Sequence, residues 1–203
     1  MSAPAEEITP PVLAETLMRA SAGFGIRFGA RLIDTVYGIV LGGLFGLVLG
    51  VALGILIATG KVPHEAIEAL RHNAWHSYGL GILGSYLYIS LCEGICGTTI
   101  GKLACGLNVV RVDGSPCTLA AAFKRDLLYH WDALFFGLVG YNSMEDSPTS
   151  QRYGDRWADT VVVKTDRFTP GKKRPSWRLP VGLLAGSLAW LVCQTLAMLL
   201  KIL

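Results

Sequence analysis

The chain has 203 residues, 52% of them hydrophobic and only 16% charged, against about 25% charged in ordinary soluble domains. A net charge of +3 is too small to argue for a nucleic-acid partner, and no basic run alternates with aromatics. Five cysteines without a CxxC pair exclude a disulfide framework, and a mean hydropathy of +0.45 points to a membrane protein.

Residues 1–22 contain three glutamates, three prolines and no apolar core. They read as a polar tail with a turn of helix near Leu13–Met18, not as a secretory signal.

A hydrocarbon core of ~30 Å takes about 20 helical residues. The uncharged stretch from Thr35 to Gly60 predicts a first span over about 35–60. A second follows over about 77–96, its apolar core running from Tyr78 to Cys92. Cys92 and Cys96 lie one turn apart there and read as small packing residues. A third span is expected over 179–203, after a basic linker at 167–178. Residues 133–144 are also uncharged but too few to cross, so they read as a re-entrant or interfacial helix.

Between the second and third spans, residues 97–166 form the polar part of a membrane domain covering 23–166. Asn108–Val112 and Thr160–Val163 are β-branched runs, and Asp113-Gly-Ser-Pro116 is a turn signal. Thr118 suits the N-cap of a helix from Leu119 to His130. The expected fold is all-α: three transmembrane helices, a re-entrant or interfacial helix, and a small two-stranded ribbon on the cytoplasmic face. The Lys and Arg of both loops flanking 133–144 then lie inside, with the N-terminus cytoplasmic and the C-terminus outside.

The first span carries unusual charge. An ionised residue costs roughly 2.5–3.5 kcal/mol at the centre of a membrane helix, yet Arg27, Arg31 and Asp34 stand at its entrance. Arg27 and Asp34 share a face, and Arg31 is placed to reach Asp34 across one turn. Ala30, Asp34, Gly38, Gly42, Gly46, Gly50, Gly54 and Ala58 follow at a spacing of four, a shallow ridge for a second helix. Either the second span, through Ser77, Gly81 and Ser85, or a second copy of the first span fits it. Glu93 either lines the same polar cavity as Asp34 or sits at the interface.

Other signals fall short of a site. In GTTIGKLACG, Leu103 follows the lysine where a phosphate loop needs Ser or Thr, so no nucleotide is expected, and Lys102 is placed at the headgroups. His64, Glu68, His72 and His76 form a stripe that offers one ion only two adjacent ligands, so no metal is expected. No nucleophile accompanies His130 and Asp132, so no enzyme, catalytic residue or cofactor is expected.

The blocks AGFGIRFGARLID, GTTIGKLACGLNVVRVDGSPCTL, DLLYHWDALFFGLVG and SPTSQRYGDRWADTVVV resemble successive blocks of the RDD family of membrane proteins, over about Ala22 to Val163. The Arg and two Asp that name the family fall on Arg27, Asp34 and Asp155, with Asp132 the rival for the last. Arg31 occupies a position that need not be basic, which makes it a candidate partner for Asp34. Asp159 stands where the family tends to have a small residue. The resemblance implies transport of an unspecified ligand, cation/proton antiport in some members, in a bacterial inner membrane. With only three spans, a homo-oligomer or a partner membrane protein is expected in addition to lipid. The alternative is a non-transporting scaffold or assembly subunit in which Arg27, Arg31, Asp34 and Asp155 lock one geometry.

Overall fold

The structure, a computed structural model, describes residues 10–61, 74–132, 134–168 and 174–202. Residues 1–9 of the tail, the His64–Glu68–His72 stripe and part of the basic linker lie outside these, as do the side chains of His76 and His130.

Among the described residues, three helices are long and apolar enough to cross a membrane. The first, α2 (Phe24–Ala58), follows α1 (Pro10–Ala20). Its 35 residues extend ~52 Å at ~1.5 Å per residue, so it begins a full three turns before the uncharged stretch. The extra length carries Arg27, Ala30 and Asp34, all buried. The second is α3 (Ala74–Cys96), and the chain then turns through Gly97 at φ +81°, a conformation few side chains tolerate. After Thr99, which caps it, comes the short helix α4 (Ile100–Ala104).

Strand β1 (Leu107–Arg111) pairs antiparallel with β2 (Thr160–Lys164), Val109 opposite Val162. Between them lie α5 (Leu119–Leu127), capped by Thr118, then α6 (Tyr129–Asp132), α7 (Leu134–Glu145) and α8 (Tyr153–Trp157). The expected helix to His130 thus breaks at Leu128. The third long helix, α9 (Arg178–Ile202), ends the chain.

The ribbon reads as an unbroken valine run because both of its faces are covered. Val110, Val161 and Val163 pack under Leu17 and Ala20 of α1, so the tail's helix is part of the core. Val109 and Val162 face Ala30 of α2 and Ala121 and Ala122 of α5. The Ala22 amide donates to the Val162 carbonyl at 2.9 Å, which ties the start of α2 to the ribbon's edge.

Among the spans, α3 and α9 are the tight pair. Gly182 and Gly186 of α9 lie against Cys96 and Cys92 of α3, and Gly84 of α3 lies against Trp190 and Cys193. Small residues let the backbones close up, as membrane packing favours. The ridge on α2 behaves differently from expectation. Only Gly42 meets another helix there, under the Trp190 ring, whereas Gly38, Gly46, Gly50 and Gly54 touch nothing within 4 Å. The most apolar stretch of α2 is not buried by any other described part of the chain. Gly84 of α3 is taken by α9, and a cleft separates Gly81 and Ser85 from α2, so α3 does not cover the ridge.

Candidate functional site

The base of α2 meets the polar region around a buried chain of charges. Arg27 is aimed at the ribbon because its Nε donates to the Ala22 carbonyl at 2.9 Å. Its Nη1 donates to Asp155 Oδ2 at 2.7 Å. Asp155 begins α8 in a capping arrangement, its carboxylate accepting from the Arg152 amide. Its other oxygen lies 2.9 Å from Arg125 Nη2, and Arg125 Nη1 lies 3.1 Å from Glu93 Oε2. Glu93 then receives Lys102 Nζ on its remaining oxygen. Arg27, Asp155, Arg125, Glu93 and Lys102 therefore alternate in sign across α2, α8, α5, α3 and α4.

Tight backbone approach makes this possible. Any side chain at Gly154 would overlap the Arg125 carbonyl oxygen, so glycine allows α8 to press Asp155 onto α5. Burial raises the Asp155 carboxyl, but Arg125, Arg152 and Arg27 around it more than reverse that and hold it below the usual carboxylate range. Burial pushes the Lys102 ammonium well below its ordinary value, and Arg125 adds to the effect. Lys102 thus points inward to Glu93 instead of lying at the headgroups.

Asp34 is held differently from the expectation. Arg31 forms no ion pair with it; the Arg31 guanidinium stacks 3.9 Å over the Tyr129 ring. Asp34 instead accepts from the Thr99 hydroxyl at 2.6 Å, the Gly101 amide at 2.8 Å and the Tyr88 hydroxyl at 3.1 Å. Hydroxyl and amide donors, together with the positive end of α4, compensate the carboxylate where a second long cation was expected. The approach depends on Gly101, since a Cβ there would overlap the Ala30 carbonyl oxygen.

The remaining candidates separate. Glu93 is fully buried within the charge chain and does not line the voids that touch Asp34. Asp132 is 2% exposed, 4.0 Å from Arg152 Nε, and burial raises its carboxyl above the ordinary range. It borders Asp155 without contacting Arg27. Asp159 is exposed, with φ +51°, in the turn that leads into β2, and takes no part in the cluster.

Arg125 and Asp126 were not singled out from sequence, and Lys102 was placed elsewhere. Arg125 and Asp126 follow Ala121 and Ala122 by helical spacing, so α5's buried face carries them while Lys124 looks outward. That phase was the available signal. Ser90 of α3 donates to Asp126 at 3.0 Å.

Three voids meet here. A cleft of about 530 Å³ lies between α2 and the α3–α9 pair, with Asp34, Gly38, Tyr88 and Trp190 in its walls. A pocket of about 300 Å³ lies between the base of α2 and α7, bounded by Phe24, Phe28, Tyr129 and Asp132. Between them a void of about 40 Å³ touches Asp34, Lys102, Arg125 and Asp126, large enough to hold water. Arg31 lines all three. No group of three or more metal-ligating side chains occurs among the described residues.

A family model, that of the RDD family, matches residues 21–159. Comparison with curated proteins and with solved structures returns no match.

Proposed function

The chain belongs to the RDD family, and on that premise we propose that it moves a small ion or solute across a membrane, with cation/proton exchange at Asp34 as the chemistry. The observation that carries this is the row of voids: a carboxylate at the foot of a cleft, a small polar void behind it, and a second pocket beyond. Ionisable groups at membrane depth commonly mark ion or proton routes. Arg31, lining all three voids, would set the barrier between the two larger ones. Arg27, Asp155, Arg125, Glu93 and Lys102 would be the fixed frame, since each is ion-paired to the next.

The proposed setting is a bacterial inner membrane, with the ribbon and the N-terminus on the cytoplasmic side and α7 lying in that interface. Three spans are few for a closed route, so copies of the chain or a partner membrane protein would complete it. No catalytic step and no cofactor enter this proposal.

A second proposal rests on that same chain of ion pairs. A buried row of alternating charges is also what a rigid, non-transporting scaffold would have. Flux of Na⁺, K⁺ and H⁺ in proteoliposomes of the purified protein tests the choice. Ion-coupled flux lost in Asp34→Asn supports transport. Flux absent from the parent, or equal in Asp34→Asn, leaves the scaffold in first place.

A further inference from the structure

The cleft beside α2 is open along one side. Its walls carry Ser85 and Gln194 beside apolar Ile39, Phe45 and Met198, with the buried Asp34 at its foot. In hydrocarbon no water is there to solvate Ser85 and Gln194, which favours an occupant that reaches them. Its volume falls within the ~300–1,000 Å³ range of ligand sites.

The shape selects the occupant. A second helix needs a channel ~10–12 Å across. Trp190 bars that: its ring lies over Gly42, close enough that an added Cβ would stand 2.5 Å from it. A few residues nearer the base, the Tyr37 hydroxyl meets Ser187 Oγ at 2.8 Å and ties α2 to α9 again. A helix cannot pass these two bridges along the ridge, but a thin flexible chain can thread beside them.

Charge selects its head. Arg31 forms no ion pair among the described residues and rests on the Tyr129 ring, so its guanidinium keeps its hydrogen-bonding edge available. Asp34, its neighbour on the helix, has donors on both oxygens from Thr99, Gly101 and Tyr88, which offset its repulsion of an incoming anion. Arg31 also lies more than a turn below the uncharged stretch that starts at Thr35, at the depth of headgroups rather than of acyl chains.

We propose that this cleft binds an anionic phospholipid, its phosphate on Arg31 and one acyl chain beside Gly38 and Gly46, passing the Trp190 ring that covers Gly42. The site stands whether or not the protein transports anything. Bound lipid closes the open side of the cleft that Asp34 borders.

Native mass spectrometry of the full chain in detergent, titrated with phosphatidylglycerol or phosphatidylcholine, tests it, with thermal melting as the folding check. The parent should bind phosphatidylglycerol roughly tenfold more tightly, because the trimethylammonium of phosphatidylcholine offsets the phosphate charge that Arg31 meets. Arg31→Gln should lose that preference and Arg31→Lys should keep part of it. Gly46→Leu has space for its Cβ and should fold, but should block the acyl wall and weaken both lipids. Unchanged lipid binding in folded Arg31→Gln or in Gly46→Leu would overturn the site. So would displacement of phosphatidylglycerol by inorganic phosphate alone at equal molarity, since the acyl chain would then contribute nothing. Dimers that carry no lipid and dissociate on Gly46→Leu would give the cleft to a second copy and overturn it as well.

Discussion

Arg27 and Asp155 stand 128 residues apart in the chain and meet at 2.7 Å, with side chains 8% and 0% exposed. Removing one partner of a buried pair leaves an unmatched charge, a loss of about 3–5 kcal/mol. Arg27→Ala and Asp155→Ala should each lower the melting temperature strongly, Asp155→Ala more, because Arg125 loses one of its two carboxylate partners too. The double variant should melt no lower than Asp155→Ala. Additive losses would show that the two residues act apart.

The glycines should rank by what stands beside them. Gly101→Ala and Gly154→Ala drive a Cβ into backbone oxygens of Ala30 and Arg125, which cannot turn aside, so each should cost about 2 kcal/mol or more. Gly42→Ala meets only the edge of the Trp190 ring and should cost less. Gly46→Ala, with nothing within 4 Å, should be neutral or stabilising by a few tenths of a kcal/mol. Melting in detergent orders the four; an equal loss at Gly46 and Gly101 would contradict the packing.

Acid should act through Asp155. Its folded carboxyl is held below the usual range, so the unfolded chain takes up the proton first. The stability it contributes is present above its unfolded value of about 3.9 and is lost as pH falls toward the folded value. The melting temperature of the parent should fall below about pH 4, and Asp155→Asn should flatten that limb. Asp132 has the opposite sign: burial raises its carboxyl, so its contribution is lost as pH rises through the folded value. Asp132→Asn should therefore gain on the parent toward neutral pH.

At Asp159 the backbone decides. With φ at +51° and the side chain exposed, Asp159→Gly should be neutral to mildly stabilising, and Asp159→Val should cost about 1–2 kcal/mol. A large loss of flux in a well-folded Asp159→Gly would give that carboxylate a role that its position does not suggest.

Sidedness can be read by labelling single cysteines in a background free of Cys92, Cys96, Cys105, Cys117 and Cys193. Cysteines placed at Arg167, beside the ribbon, and at Gly60, beyond the far end of α2, should react from opposite sides. Reaction of both from one side would contradict a crossing by α2.

Sequence spoke most clearly where a period or a cap was at stake. The uncharged runs located all three long helices, the valine runs located the ribbon, and Thr118 and its Ala121 contact opened α5 as the cap rule requires. Partners across long separations were harder to read. Arg31 and Asp34 are neighbours by helical spacing, but spacing cannot register Thr99 and Gly101, which fold back from another element to take the same carboxylate. Likewise the ridge on α2 has an ideal period, yet α9, which lies past the matched family region, had already taken Gly84 of α3. Arg125 was legible only from its phase against Ala121 and Ala122, a weak signal on a helix of 9 residues.

The distance along the chain between Asp34 and its donors also sets an order of events during synthesis. Thr99 lies 65 residues after Asp34, and Asp155 lies 128 after Arg27. At roughly 5–20 residues per second, the ribosome needs several seconds to supply the first partner and up to about 25 s to supply the second. Throughout that interval the first span has to wait at the bilayer with its arginine and aspartate unmatched. The ties that hold its entrance, the Ala22 amide on Val162 and Arg27 on Asp155, can form only once α8 and β2 have been made.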